Sequence, residues 1–165
     1  MPNWCTNEVS VYAETKEQMN EFISFVKSKE DNEPFSFQSI LPMPKEIQEV
    51  GSPVRIVSEK EFEERDVQKD IFPNQLITKT MQKKFIEKYG TDNWYDWANE
   101  NWGTKWEVSD VEMFQDSEYE AQYEFDTAWC PPEGIFYALK NKFPELTFSW
   151  FYREDGDQIA GFLPN

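Results

Sequence analysis

From Glu107 to Asp126 the chain carries eight carboxylates, Glu107, Asp110, Glu112, Asp116, Glu118, Glu120, Glu124 and Asp126, and neither lysine nor arginine. Carboxylates at this density can hold Mg²⁺ for phosphodiester cleavage, or pair as acid and base. They can also present a field that a basic partner recognises. The sequence has no histidine, which removes the usual general base and the commonest zinc ligand. Cys5 and Cys130 stand far apart and form no CxxC pair, which argues against a zinc site or a disulfide framework. No Gly-rich phosphate loop is present, and no serine or cysteine has a base beside it. Catalysis therefore rests on sheet carboxylates such as Glu120 and Glu124, as a metal-dependent phosphodiesterase or nuclease, and no ligand spacing marks out one pair.

The elements that must position these groups are read from periodicity. Residues 118–128 alternate, with Tyr119, Ala121, Tyr123 and Phe125 opposite Glu118, Glu120, Gln122, Glu124 and Asp126. Residues 6–13 alternate too, with Val9 and Val11 opposite Glu8, Ser10 and Tyr12. If helices cover one face of the sheet, the rings face them, and the carboxylates face away with Glu8 and Glu112 beside them. Thr15 and Gln18 form a capping-box signature ahead of a helix whose apolar stripe is Met19, Phe22, Ile23 and Val26. Phe35-Ser36-Phe37 to Leu41 reads as a second strand, stopped by Pro42 and Pro44.

The same grammar returns near the end. Pro131-Pro132 opens a helix with Ile135, Phe136, Leu139 and Phe143 on one side, Pro144 ends it, and Phe148-Ser149-Trp150 begins another strand. Residues 106–114 are expected to pair with 118–126 through a turn at Gln115-Asp116-Ser117. Residues 158–163 are expected to pair with 146–153 across Asp155-Gly156. Two strand–helix–strand passages predict an α+β, ferredoxin-like split βαβ sandwich with an antiparallel sheet, two packing helices and a helical insertion. The expected organisation is a single domain, its core formed by 1–42 and 106–165 with 43–105 inserted.

Within the insertion, 45–72 reads as charged loop with short helical or extended pieces. Residues 76–89 read as a helix with Met81, Phe85, Ile86 and Tyr89 on its stripe, ended by Gly90. Asp92 is expected to cap a short helix bearing Trp94, Trp97 and Trp102. Those three, followed by Trp106, read either as a recognition patch or as filling for a small core. The lysines at 79, 83, 84 and 88 read as a solvated helix face or a basic patch.

The bulk numbers agree with a self-sufficient core. At 165 residues the chain needs neither metal nor disulfide to fold. Only 39% of residues are hydrophobic, but 17% are aromatic, and each buried ring removes roughly 150–250 Å² from water. Thirty-two acids against sixteen bases leave a net charge of −16, which repels nucleic acid phosphates and anionic membranes and attracts basic partners. RNA-recognition sheets present aromatics and basic residues on the open face, and here that face is carboxylate-rich. Direct nucleic-acid binding is accordingly not expected, nor is a cofactor. No apolar run approaches the roughly 20 residues of a membrane helix, and the opening residues lack the pattern of a secretory signal. The expected location is a reducing cytoplasm.

Several stretches together resemble the YubB-like family of phage and plasmid proteins with a ferredoxin-like domain. They are Pro2-Asn3-Trp4-Cys5-Thr6-Asn7, Phe37-Gln38-Ser39-Ile40-Leu41-Pro42-Met43-Pro44, the Trp-rich run from Asp92 to Trp106, and Ala128-Trp129-Cys130-Pro131-Pro132-Glu133-Gly134. Phe148-Ser149-Trp150-Phe151-Tyr152 with Ile159-Ala160-Gly161 completes the set, which leaves out roughly residues 50–75. The resemblance implies the ferredoxin-like fold and a home on mobile elements, hence the cytoplasm of a bacterial host. It supplies no catalytic residues.

Taken together, these features point to a non-enzymatic acidic accessory protein that binds a host protein with a basic surface. Acting as a nucleic-acid mimic, it would inhibit a nucleic-acid-handling or defence protein. The expected contact residues are Glu8, Glu112, Glu118, Glu120, Glu124 and Asp126. A solvated face whose charge serves only solubility is the competing reading.

Overall fold

The computed structural model describes residues 3–164, the side chain of Asp116 excepted. In chain order it contains β1 (Trp4–Tyr12), α1 (Lys16–Val26), α2 (Phe37–Ile40), α3 (Lys45–Gln48), β2 (Arg55–Val57) and α4 (Glu59–Glu63). A 3₁₀ turn at Pro73–Gln75 leads to β3 (Leu76–Thr78), α5 (Lys79–Tyr89) and α6 (Trp94–Asn101). Last come β4 (Ser109–Ser117), β5 (Glu120–Ala128), α7 (Glu133–Lys142), β6 (Thr147–Glu154) and β7 (Ile159–Leu163). The chain forms two compact units, one built from the residues up to Pro42 and from Asn101 onward, the other from Met43–Glu100.

In the first unit five strands form one sheet in the order β4-β5-β1-β6-β7, and every neighbouring pair is antiparallel. Strands β4, β5, β1 and β6, with α1 and α7 as the crossing helices, have the strand order of a split βαβ sandwich, and β7 extends it. The fold is therefore the α+β, ferredoxin-like one. Alternation decides which face is covered: Cys5, Asn7, Val9 and Val11 of β1 and Ala121, Tyr123, Phe125 and Thr127 of β5 are buried. Phe22 of α1 meets Tyr123 edge-on at 6.1 Å, and Phe136 of α7 meets Trp150 at 6.0 Å. Phe35 stacks on Phe125 at 5.0 Å. Asn7, fully buried among these rings, donates to the Thr127 hydroxyl and the Cys5 carbonyl and accepts from the Trp150 indole at 3.1 Å.

Helix α1 begins as its sequence dictates, with Thr15 and Gln18 exchanging both bonds of a capping box. Residues 35–41 do not form the expected strand. Phe37–Ile40 is instead a helical turn: Ser36 holds the N-cap position without a capping bond of its own, and the Glu107 carboxylate accepts from the Phe37 and Gln38 backbone N–H groups in its place. The β4–β5 reversal is also displaced. β4 runs to Ser117, whose hydroxyl accepts from the Tyr119 N–H, so the turn is Glu118-Tyr119 and not Gln115-Asp116-Ser117.

The second unit contains a two-stranded parallel sheet, β2 beside β3, that takes its first residues from the expected helix at 76–89. The Thr78 hydroxyl caps α5, and Gly90, at φ +82°, ends it in the left-handed region that glycine tolerates. Asn93, not Asp92, accepts from the Asp96 N–H at the start of α6, while Asp92 accepts from the Gln82 and Asn93 amides. Lys84 and Lys88 are engaged by Glu46, at 3.2 and 3.1 Å. The Tyr89 hydroxyl, Lys88 and Lys84 together pull the Glu46 carboxyl down to about 2. No described helix is long and apolar enough to cross a membrane.

A candidate protein-docking face

The outward positions of the sheet are Trp4, Thr6, Glu8, Ser10 and Tyr12 on β1 and Glu120, Gln122, Glu124 and Asp126 on β5. Register sets their neighbours. Glu112 lies opposite Glu124, and Glu124 lies opposite Glu8, so three exposed carboxylates stand abreast across β4, β5 and β1. Directly opposed side chains have Cβ atoms about 4.5–5.5 Å apart, and like charges there destabilise the sheet. Among the described residues no ion pair engages any of the three.

The row continues through Phe151 and Phe162, whose rings lie 5.2 Å apart with Phe162 60% exposed. One row away, Asp126 accepts from the Thr6 hydroxyl at 2.9 Å. Beyond Thr6 stands Arg153, the basic side chain among the outward strand positions, and its Nε lies 3.2 Å from Asp155. Glu120 accepts from the Gln122 amide at 3.0 Å.

The other acids of the sequence stretch go elsewhere. Glu107 turns inward to cap α2, and burial raises its carboxyl above the ordinary range despite the bonds from Phe37, Gln38, Val108 and Ser36. Glu118 sits in the hairpin turn, so it flanks the face and does not belong to a strand row. Asp110 has φ +52° beside the irregularity between Ser109 and Glu112. The carboxylates of the row lie side by side and do not converge, and no cluster of three or more His, Cys, Asp or Glu among the described residues is placed to hold a metal ion. Burial holds the Cys5 thiol up at about 11, and both cysteines are free.

The tryptophans divide differently from the expected patch. Trp97 and Trp102 are buried and Trp94 is partly buried, so Trp94, Trp97 and Trp102 do not form an exposed patch. The Trp102 indole donates to the Leu41 carbonyl at 2.8 Å and packs on Phe37. The exposed tryptophans are Trp4, Trp106 and Trp129. Trp4 and Trp106 lie 6.3 Å apart, and the Lys105 ammonium sits 3.9 Å from the Trp106 ring centre and 5.9 Å from that of Trp129. Trp129 has φ +74°, a region a bulky residue rarely adopts and one that costs about 1–3 kcal/mol. Of this group sequence reasoning singled out Trp106 and missed Trp4 and Trp129, although extending the β1 alternation back by two residues puts Trp4 on the carboxylate face.

Strand order, crossing helices and an uncovered carboxylate face define an α+β split βαβ protein with an acidic open sheet. No family model matches the chain, and no curated protein matches it. A solved structure shares its architecture: the protein api92 from Yersinia pseudotuberculosis, described under the family model DUF1281. The two are similar at a TM-score of 0.55 over 98% of this chain and 93% of that one, with 10% identity, a likeness of fold alone.

Proposed function

We propose that this chain is a non-enzymatic accessory protein that docks a basic protein surface on its open sheet face, imitating the phosphates of a nucleic acid. One observation carries the reading: Glu112, Glu124 and Glu8 stand abreast, exposed, on three neighbouring strands with no base opposite any of them. Folding alone gives no reason to align like charges, whereas a cationic partner would be attracted by them and would relieve the repulsion. A net charge of −16 extends the attraction beyond the contact itself. The YubB-like motifs belong to the same proposal. They suggest a phage or plasmid protein acting in the cytoplasm of a bacterial host, on a nucleic-acid-handling or defence protein.

The test compares proteins retained from host lysate by the wild-type chain and by the Glu8→Gln, Glu112→Gln, Glu124→Gln triple variant. The specific partner is expected to be absent with the variant, and to leave the wild type at moderate salt or when duplex DNA is added in excess. Retention unchanged by the substitutions, by salt and by DNA would overturn the proposal.

A further inference from the structure

The docking reading leaves unexplained why the tryptophans that face solvent gather beside this face. The chain has seven tryptophans, and the three exposed ones, at 44% for Trp4, 40% for Trp106 and 48% for Trp129, form one group: Trp4 meets Trp106, and Lys105 lies against both Trp106 and Trp129. Trp129 reaches its place only in the left-handed region, held by its N–H bond to the Asn3 carbonyl at 3.0 Å and by the Thr127 hydroxyl donating to the Cys130 carbonyl at 2.8 Å. A bulky residue kept in that conformation at the surface needs a reason, and packing is not one when half the ring is in water.

The rings already hold a cation. A guanidinium is planar, less strongly hydrated than an ammonium and better suited to stacking between indoles. The platform also shares a face with the carboxylate row, since Trp4 and Glu8 are both outward residues of β1. Four residues of strand separate them, about 13 Å at 3.3 Å per residue, a distance that an extended partner segment spans in four residues of its own. We infer that Trp4, Trp106 and Trp129 anchor an arginine of the basic partner segment, in the seat that Lys105 holds in the unbound chain. This rests on the docking reading and adds to it the partner's chemistry: an extended segment with an arginine four residues from the cations that meet the carboxylate row.

Two synthetic peptides separate the two ideas. The first carries arginines at positions one, three and seven among glycines and serines, and the second has serine at position seven. Binding is read at low salt by calorimetry and by the indole N–H resonances of the protein. Trp106→Leu is expected to weaken the three-arginine peptide about fivefold and to leave the serine peptide unchanged, which also reports an intact fold. Lys105→Gln is expected to tighten the arginine peptide by more than the serine one. Equal response of both peptides to Trp106→Leu and Lys105→Gln would overturn the anchor while the docking reading stands, provided both still need Glu8, Glu112 and Glu124. Binding that ignores those carboxylates overturns both. Conversion of a dimer to a monomer by Trp106→Leu would make the occupant a second copy, and the arginine anchor would fall.

Discussion

The two faces of the five-stranded sheet are built from the same strands under opposite rules. On the helix-covered face, neighbours are chosen to agree: Phe35 stacks on Phe125, Trp150 meets Phe125 and Phe136 edge-on, and Asn7 is satisfied on both its amide nitrogen and its oxygen. On the open face, neighbours conflict, since each carboxylate of the Glu112–Glu124–Glu8 row stands beside another. Covered positions answer to packing and to the cost of unmet hydrogen bonds. Open positions are free of both, so an arrangement there that destabilises the fold points to a demand from outside it. The covered face has an exception of its own in the Tyr123 hydroxyl, buried with no hydrogen-bond partner among the described residues, whose acidity burial suppresses.

By this contrast, substitutions on the covered face should be far more damaging than those on the open one. Trp150→Ala is the largest. It removes a fully buried ring that touches Phe35, Phe125 and Phe136, and it leaves the Asn7 oxygen without its donor. The expected loss is about 3–5 kcal/mol in urea unfolding, as for other buried rings cut back to alanine. A loss below about 1 kcal/mol would mean that the core is far looser than these contacts indicate.

How far this contrast could be read in advance depended on the range of the interactions. The alternation of β1 and β5 and the stripe of α1 were legible because periods of 2 and 3.6 repeat several times within one element. Residues 35–37 alternate for three positions only, and the helical turn that forms instead at Phe37–Ile40 is capped by Glu107, about seventy residues away, which no local pattern reveals. The three-residue strands β2 and β3 are too short to have a period at all. On the site, alternation gave the outward direction of Glu8, Glu120, Glu124 and Asp126. It could not give the register that sets Glu112, Glu124 and Glu8 in one row, nor show that Trp106 and not Trp97 meets solvent, because both depend on pairing across the sheet or on packing remote in sequence.

Glu107 sharpens the comparison, being a carboxylate of the acidic stretch that the fold itself uses. Glu107→Ala would deprive the Phe37 and Gln38 N–H groups of their acceptor, with an expected loss of about 1–3 kcal/mol. Its raised carboxyl also sets a pH dependence. The folded chain holds this proton more tightly than the unfolded chain does, so the stabilising effect of protonation is present below the unfolded value near 4.5. It fades as pH rises through the folded value. Urea midpoints measured upward from pH 4.5 should decline less in Glu107→Gln than in the wild type, and identical slopes would show that Glu107 does not contribute.

The smallest effect is the most telling, because its sign is opposite. Glu124 stands between Glu112 and Glu8, so Glu124→Gln removes both close repulsions in one change without altering size. The expected gain is about 0.2–1 kcal/mol for each repulsion relieved, seen as a higher melting temperature at low salt that shrinks as salt is added. The same substitution in an isolated solvated glutamate should be close to neutral. Stabilisation of the fold joined to loss of the partner would mark Glu124 as a residue whose charge works against folding and serves binding. Destabilisation by Glu124→Gln would mean that the row is supported within the chain, and the difference between the two faces would lose its functional meaning.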